Sequence, residues 1–316
     1  MMSEADKEIA AYGLKPDAYL AESIVSLFLV TIAVSLRIYV RTIVTKSFGL
    51  DDWFLLAAWV LFVADAYTAI KVAVIVKKYG VVAHLLEMTA HDFASMLLYL
   101  VNQALLKVSM ALFFLRIPQR KWQIWVIRIS MAVYCTYSFA FFFVVLFECG
   151  SPTGFNFIYG TCFAWNIMGP LNYIAAVLNA IVDWVFIITP LFVVWHTMMS
   201  RRSRIQICLL IAFGAMGSIV SIARIPLIKD LRIFHSLKYF GKIVPISLLS
   251  LVETGVGLIA ISLAALRPLM KRRKKTPYNT NEEESHLRRR SDAHEFGSKS
   301  FEMSSHVVHI TAERTV

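Results

Sequence analysis

The chain has 316 residues, of which 58% are hydrophobic and only 17% are charged, and its mean hydropathy is +0.63. A water-soluble domain is closer to half apolar and a quarter charged, so this composition excludes a soluble enzyme, a nucleic-acid-binding domain and a disordered scaffold, and favours a multi-pass membrane protein. The net charge of +11 does not indicate nucleic acid as a partner, because the basic residues mostly flank apolar runs or lie after Lys271.

Seven segments are apolar enough to cross a bilayer, which takes about 20 residues each. In chain order they cover residues 18–40, 53–76, 93–115, 122–147, 171–195, 205–223 and 243–266. The second is the weakest, because it carries both Asp65 and Lys71. Five or six spans is the alternative, but every segment is too apolar to be left in water. We predict an all-α, seven-transmembrane helix bundle over residues 18–270, preceded by a short extracytoplasmic N-terminus of residues 1–17.

The loops between the segments differ in their content of Lys and Arg. Basic residues follow the first, third and fifth segments and open the tail at residues 271–275, whereas residues 148–170 contain none. The loop after the sixth segment is an exception, since it also holds basic residues. Loops rich in Lys and Arg stay in the cytoplasm. We therefore predict that the N-terminus lies outside and that the C-terminus lies in the cytoplasm.

Two cysteines, Cys149 and Cys162, lie in the loop after the fourth segment, on the predicted outer side. That side of a membrane is oxidising, so we expect a disulfide that holds the loop over the end of the bundle. Two free loop thiols are the alternative interpretation.

After Lys271 the apolar pattern ends, and residues 271–316 mix basic, acidic and small polar residues without periodicity. This composition predicts a disordered cytoplasmic tail. Within it, Arg288-Arg289-Arg290-Ser291 is similar to a site for a basophilic kinase, which makes Ser291 a candidate phosphorylation site.

Several polar side chains fall in the middle of predicted spans, where each is costly unless it meets a partner or water. They are Asp65, Asn102, Gln103, Lys107, Asn179, Asp183 and Glu253. Lys107 is the one cation among three acids, so we predict that it pairs with one of them and that at least one carboxyl group is protonated or faces water. This intramembrane polar site is either a place for a ligand, proton or substrate, or a buried lock that holds the helices in register.

Two carboxylates, Asp51 and Asp52, stand at the start of the second segment. They suit the positive end of the helix dipole and can cap its free amide groups. Alternatively, they form an ion network on the cytoplasmic side with Arg37 and Arg41 of the first segment. The sequence leaves both interpretations open.

No cofactor is expected. Retinal needs a Schiff-base lysine in the seventh helix, whereas Lys242 lies only at the mouth of that segment and Lys107 is in the third. His84, Glu87 and His91 share a face if they are helical, but they match no recognised zinc pattern, so no metal is predicted. The sequence also contains no nucleophile–base motif and no phosphate-binding glycine loop, which leaves an enzymatic role uncertain.

Motifs of one known family are spread over most of the chain. They are Arg37-Ile38-Tyr39-Val40-Arg41, Phe48-Gly49-Leu50-Asp51-Asp52-Trp53, Lys107-Val108-Ser109, Phe113-Phe114-Leu115-Arg116, the two loop cysteines, Asn179 with Asp183, Ser221, and Glu253 with Leu266-Arg267-Pro268-Leu269. Together they resemble the fungal rhodopsin-like integral membrane proteins, which include a satratoxin-cluster membrane protein and relatives of an appressorium receptor. The resemblance implies seven helices without light sensing, in receptors or in biosynthetic gene clusters for toxins and terpenoids.

Two functions from different classes fit these observations. We favour a receptor-like sensor that moves its helices through the Lys107–acid network and signals to cytoplasmic proteins. The alternative is a membrane-embedded enzyme or accessory protein of secondary metabolism, in which Asp65, Asp183 or Glu253 donates a proton for cyclisation. The expected partners are the lipid bilayer of the plasma membrane or an endomembrane, and a small lipophilic ligand or pathway intermediate; no nucleic acid is expected.

Overall fold

The computed structural model describes residues 15–80, 84–116, 121–147, 165–196, 212, 214–223, 226 and 238–265. The chain divides into two units, residues 1–270 and 271–316, and every described residue belongs to the first. Over the described ranges the regular elements are all helices, with no strand, which confirms the predicted all-α class. The cysteines of the predicted disulfide, Cys149 and Cys162, and the candidate phosphorylation site Ser291 lie outside the described residues.

Seven α-helices are present in the part of the chain that the structure describes. They are α1 (Pro16–Tyr39), α2 (Leu50–Tyr79), α3 (Leu85–Leu115), α4 (Lys121–Leu146), α5 (Trp165–His196), α6 (Gly214–Ala223) and α7 (Lys238–Ala264). All except α6 are long and apolar enough to cross a bilayer, and α6 is shorter over its described residues. The prediction of a multi-pass membrane protein is confirmed. The orientation of the termini stays a prediction.

The ends of α1 and α2 follow from residues with special backbone properties. Pro16 opens α1, where its missing N–H costs nothing because no residue of the helix would accept from it. After α1 the backbone widens into one π-helical turn, Val40–Val44, which closes with a 2.9 Å bond from the Thr45 N–H to the Val40 carbonyl. Gly80 ends α2 with a φ of 79°, a conformation that favours glycine. The second helix thus begins three residues before the predicted span and ends three after it.

The distribution of polar and apolar side chains is the reverse of that in a soluble protein, with apolar side chains outside and polar ones inside. Phe28, Val60 and Phe139 are exposed to the surroundings by 65%, 57% and 68%, whereas Asn102 and Glu253 are buried. Helices of this kind satisfy their backbone groups internally and present apolar side chains to lipid. The exposed faces are therefore lipid-facing surfaces, and the polar residues converge inside the bundle.

The third helix occupies a central place in the bundle, since it packs against α2, α4 and α7. Its contact with α7 is close: a Cβ atom added at Gly257 would lie 2.6 Å from Cδ2 of Leu106, which is fully enclosed. Only a residue without a side chain lets the two helices approach this far. The central position of α3 brings one of its faces against most of the polar residues of the other helices.

Candidate functional site

Five polar residues line one face of α3. Their intervals of three or four residues place them on neighbouring turns of that face, and we call this set the α3 stripe. Its members are Asp92, Ser95, Tyr99, Gln103 and Lys107. They contact residues of three other helices, α2, α5 and α7. The stripe contains two of the polar residues singled out in the sequence, Gln103 and Lys107, and three that were not assigned to the intramembrane site.

A cavity of about 120 Å³ lies beside the α3 stripe, between α3, α4, α5 and α7. One water molecule needs only about 10–15 Å³ of such space, so the cavity holds several waters or a narrow organic molecule. Its wall is largely aliphatic and aromatic, with hydroxyl, amide and carboxyl groups set into it. The polar lining groups belong to Asp92, Ser95, Tyr99, Gln103, Tyr134, Tyr137, Ser138, Asn172, Asn179, Ser247 and Ser250.

Glu253 of α7 is the meeting point of a buried hydrogen-bond network. Its Oε1 accepts from Asn179 Nδ2 at 2.5 Å and from Ser221 Oγ at 2.6 Å, and its Oε2 accepts from the Tyr99 hydroxyl at 3.1 Å. Tyr134 of α4 donates in turn to Asn179 Oδ1 at 3.3 Å. One carboxyl group thereby links α3, α5, α6 and α7 directly and α4 through Asn179.

Asn102 and Gln103 are adjacent in sequence but contact different helices. In the amide orientation that satisfies both of its groups, Asn102 binds the Ala58 carbonyl (3.1 Å) and the Phe62 N–H (3.2 Å) of α2. Gln103 faces α7 instead, where its Nε2 donates to Thr254 Oγ1 at 3.0 Å. Only Gln103 lines the cavity. Asn102 therefore holds α3 against α2 and is separate from the cavity.

Lys107 forms its ion pair with Asp183 of α5. Of the three acids named in the sequence, the structure selects this one, while Asp65 and Glu253 accept hydrogen bonds from hydroxyl groups. The side chains of Lys107 and Asp183 are only 3% and 12% exposed. The pair lies one helical turn beyond Gln103 on the α3 stripe.

Two further carboxyl groups, those of Asp65 in α2 and Glu22 in α1, accept hydrogen bonds from serine. Asp65 Oδ1 accepts from Ser95 Oγ at 2.5 Å, and Glu22 Oε1 accepts from Ser26 Oγ at 2.8 Å. Neither Glu22 nor Asp92 was predicted to belong to the intramembrane polar site. The signal for Asp92 was its spacing from Gln103 and Lys107, which continues the same helical face.

Arg37 and the two aspartates of α2 form a buried ion cluster near one end of the bundle. Arg37 Nε lies 2.8 Å from Asp52 Oδ1 and Arg37 Nη2 lies 2.8 Å from Asp51 Oδ2, with all three side chains at most 2% exposed. Arg37 Nη1 also donates to the Ile261 carbonyl of α7. Arg41 stands further off, at 3.6 Å and 3.7 Å from the same carboxylates. The four residues of the predicted network are therefore brought together.

Ser109 of α3 and Arg116, which directly follows α3, complete this cluster and were not predicted to belong to it. Arg116 Nη2 lies 2.7 Å from Asp51 Oδ1, and Ser109 Oγ donates to the Asp51 carbonyl at 2.7 Å. Asp52 also accepts from the Gly49 N–H at 3.1 Å, as a residue of a capping box does. Capping and ion pairing, which the sequence left as alternatives, occur together at Asp52.

His84 and Glu87, two of the candidate metal ligands, contact each other at the start of α3. His84 Nδ1 lies 3.0 Å from Glu87 Oε2, and both side chains are substantially exposed. No group of three potential metal ligands comes together among the described residues.

Comparison with known proteins gives two matches. A family model for the fungal rhodopsin domain matches residues 36–272. The chain is also similar to the "Polyenoic acids biosynthesis gene cluster protein Ba17b" of Metarhizium anisopliae, with 27% identity over 290 residues that cover 80% of this chain and 74% of that protein. No solved structure gives a significant match.

Proposed function

The chain belongs to the fungal rhodopsin domain family, and from that premise we propose that it is a receptor-like membrane sensor that binds a small lipophilic molecule without retinal. One observation carries this proposal. The cavity reaches Gln103, and the next turn of the same helix holds Lys107 in its ion pair with Asp183. A molecule in the cavity therefore sits directly beside a contact that joins α3 to α5.

The α3 stripe offers a physical route from the cavity to the ion cluster. Ser109, two residues beyond Lys107, binds the Asp51 backbone at the start of α2. A small displacement of α3 by a ligand changes the Lys107–Asp183 pair and the Ser109–Asp51 bond together, because Lys107 and Ser109 both belong to this one rigid helix. Packed helices switch between discrete arrangements rather than deform gradually, which suits a sensor.

The lining of the cavity also supports a ligand other than retinal. Among its described lining residues there is no lysine that could form a Schiff base. Lys107 is committed to Asp183, and residues 243–265 of α7 contain no lysine. Tyr99, Tyr134 and Tyr137 supply flat aromatic walls with polar tips, which suit a lipophilic molecule with a polar group.

The test uses the double variant Lys107→Met/Asp183→Asn, which removes both charges and leaves neither one buried alone. The matched control is Glu87→Gln, a change at an exposed carboxyl group next to His84. Each is expressed at the native level in the source organism, and its membrane localisation is checked. We expect the double variant to lose a transcriptional or calcium response to an external cue, while Glu87→Gln keeps it. A normal response in a correctly localised double variant refutes the sensor.

A second candidate function rests on the similarity to a protein named for a polyenoic acids biosynthesis gene cluster. In that case this chain is a membrane-embedded enzyme or accessory protein that handles a lipophilic pathway intermediate in the same cavity. The same two strains separate the candidates. If the double variant accumulates a metabolite that the wild type and Glu87→Gln do not, and every cue response is intact, the biosynthetic role replaces the sensor.

A further inference from the structure

The amide of Gln103 is fixed in one orientation by its neighbour on α7. The Thr254 hydroxyl donates its only hydrogen to the Ser250 carbonyl at 2.9 Å, so its oxygen can only accept from Gln103. The Gln103 amide nitrogen must therefore face Thr254, as the 3.0 Å bond shows. The Gln103 Oε1 atom is left over, buried and without a hydrogen-bond partner among the described residues.

Such an atom requires a partner, since a buried acceptor that is removed from water without a hydrogen bond costs free energy. Gln103 is 2% exposed and belongs to the cavity lining. Because Gln103 lines the cavity, we assign the partner of Oε1 to a molecule in the cavity that carries a hydrogen to donate.

The rest of the lining is poor in available hydrogens. Most lining groups that carry one already donate it to a protein acceptor. These groups are the hydroxyls of Ser95, Tyr99, Tyr134, Tyr137 and Ser250 and at least one N–H of each amide of Asn172 and Asn179. The cavity thus offers few available hydrogens to a molecule inside it.

The described lining residues include no positively charged side chain that could bind an anion. The lining contains the carboxyl group of Asp92, which interacts with the Ser247 hydroxyl, and its described residues include no Lys or Arg. The nearest buried ammonium group on α3, that of Lys107, is paired with Asp183. A ligand carboxylate would enter without a counter-charge, at a high desolvation cost.

The shape of the cavity favours a slender molecule. On α3 its lining runs from Asp92 to Gln103, eleven residues or about 16 Å along the helix axis. This length along α3 is enough for an extended alkyl chain. The wall between the polar groups is apolar, with Met96, Leu100 and Phe141 among its residues.

We propose that the cavity takes a linear lipophilic molecule whose polar end is a hydrogen-bond donor, an alcohol or an amine, and that Gln103 Oε1 accepts from that donor. This assignment rests on the proposed ligand-binding function and makes it specific. It excludes an ionised carboxylate as the ligand, even though the similar protein of Metarhizium anisopliae is named for polyenoic acids.

The experiment measures thermal unfolding of the purified full chain in lipid nanodiscs with four probes of equal chain length: decanol, decylamine, decanoate and decyl methyl ether. The ether keeps the chain and the oxygen of decanol but has no hydrogen to donate. We expect decanol and decylamine to raise the unfolding temperature in a saturable way, and decanoate and the ether not to. This comparison needs no variant. Equal stabilisation by the ether, or stabilisation by decanoate, overturns the proposal.

Gln103→Met tests the residue assignment, with Gln123→Met as its matched control, because Gln123 is an equally buried glutamine of α4 that is absent from the cavity lining. We expect decanol to bind about tenfold more weakly to Gln103→Met, the loss of about one hydrogen bond, and unchanged to Gln123→Met. Equal binding by both variants overturns the role of Gln103. If no probe binds the wild type, the proposed ligand class is wrong. The sensor function is tested separately, by the cue response of the Lys107→Met/Asp183→Asn strain.

Discussion

Arg37 and Asp52 are joined by a 2.8 Å contact between Nε and Oδ1 at a place where neither side chain is more than 2% exposed. The arginine also reaches Asp51 and the Ile261 carbonyl, so one guanidinium group ties α1 to both α2 and α7. Removing the guanidinium group leaves the buried carboxylates of Asp51 and Asp52 without the positive charge that lies 2.8 Å from each of them. A buried charge without a counter-charge is among the costliest defects in a folded protein.

We therefore expect Arg37→Met to lower the free energy of unfolding by about 3–5 kcal/mol. The control is Lys77→Met, which breaks the 2.7 Å pair between Lys77 and Asp17, whose side chains are 59% and 77% exposed. An exposed pair contributes at most about 1 kcal/mol. The measurement is unfolding by a denaturing detergent, followed by circular dichroism. Similar losses in both variants would show that the cluster of Arg37 is not a buried lock.

We expect the losses of stability caused by mutating Lys107 and Asp183 to be strongly non-additive, because the two side chains form a buried ion pair. Lys107→Met and Asp183→Asn alone each leave one buried charge without its partner, so each should destabilise the protein by about 3 kcal/mol or more. The double variant leaves no unpaired charge and should be more stable than either single variant. Unfolding measured for all four proteins in the same detergent gives the coupling energy. Additive losses would mean that the two charges do not interact.

Gly49 faces the Arg116 side chain, which occupies the space that a side chain at position 49 would need. A Cβ atom there would lie 1.7 Å from Arg116 Nη2. Because Arg116 is 42% exposed and flexible, we expect Gly49→Ala to fold and to move the guanidinium group away from Asp51, at a cost below about 1 kcal/mol. In an Arg116→Ala background the same change should have no further effect. A full loss in that background would place the cause in the backbone of Gly49.

Glu253→Gln keeps the size of the side chain, yet we expect it to lower stability more than Gly49→Ala does. Glu253→Gln replaces one acceptor oxygen with an amide group, so a donor from Asn179, Ser221 or Tyr99 loses its acceptor inside the bundle. We expect a loss of about 1–3 kcal/mol in thermal unfolding. Glu87→Gln, at an exposed residue, should change stability by less than about 0.5 kcal/mol. A silent Glu253→Gln would show that the five-helix junction does not depend on the carboxylate.

The predicted orientation and the predicted disulfide share one test. An impermeant maleimide is applied to sealed cells or vesicles of known sidedness, before and after mild reduction. We expect labelling of Cys149 and Cys162 only after reduction and only from the outer side, as an outside N-terminus requires. The variant Cys149→Ser/Cys162→Ser should stay unlabelled. Labelling without reduction would exclude the disulfide, and labelling from the cytoplasmic side alone would invert the topology.

The sequence predicts the helices well because hydrocarbon imposes a simple requirement, about 20 apolar residues in a row. It predicts the inside of the bundle less well. Asn102 and Gln103 were placed in one polar site, but consecutive helical residues point about 100° apart, and they face α2 and α7. Nothing in the sequence decides whether Lys107 meets Asp183 or Glu253, since that depends on how α5 and α7 pack around α3.

Most of the site residues that were not predicted from the sequence carry hydroxyl groups. Tyr99, Tyr134 and Ser221 hold the Glu253 network together, yet such residues are common in membrane helices and cost little there, so they do not stand out. Arg116 was treated as a loop charge that sets topology, whereas it also pairs with Asp51. A spacing of three or four residues on α3 was the one signal that already connected Gln103 with Tyr99 and Ser95.

The close approach of Gly257 to Leu106 has an evolutionary consequence. Because Leu106 is buried and its Cδ2 would lie 2.6 Å from a Cβ atom at position 257, a larger residue at either position requires the Leu106 side chain to move or α3 and α7 to separate. In relatives that keep this helix spacing, a larger residue at the position of Gly257 should be accompanied by a smaller one at the position of Leu106. The two sites are expected to covary across the family, and a lineage in which only one of them has changed should have a wider gap between these helices.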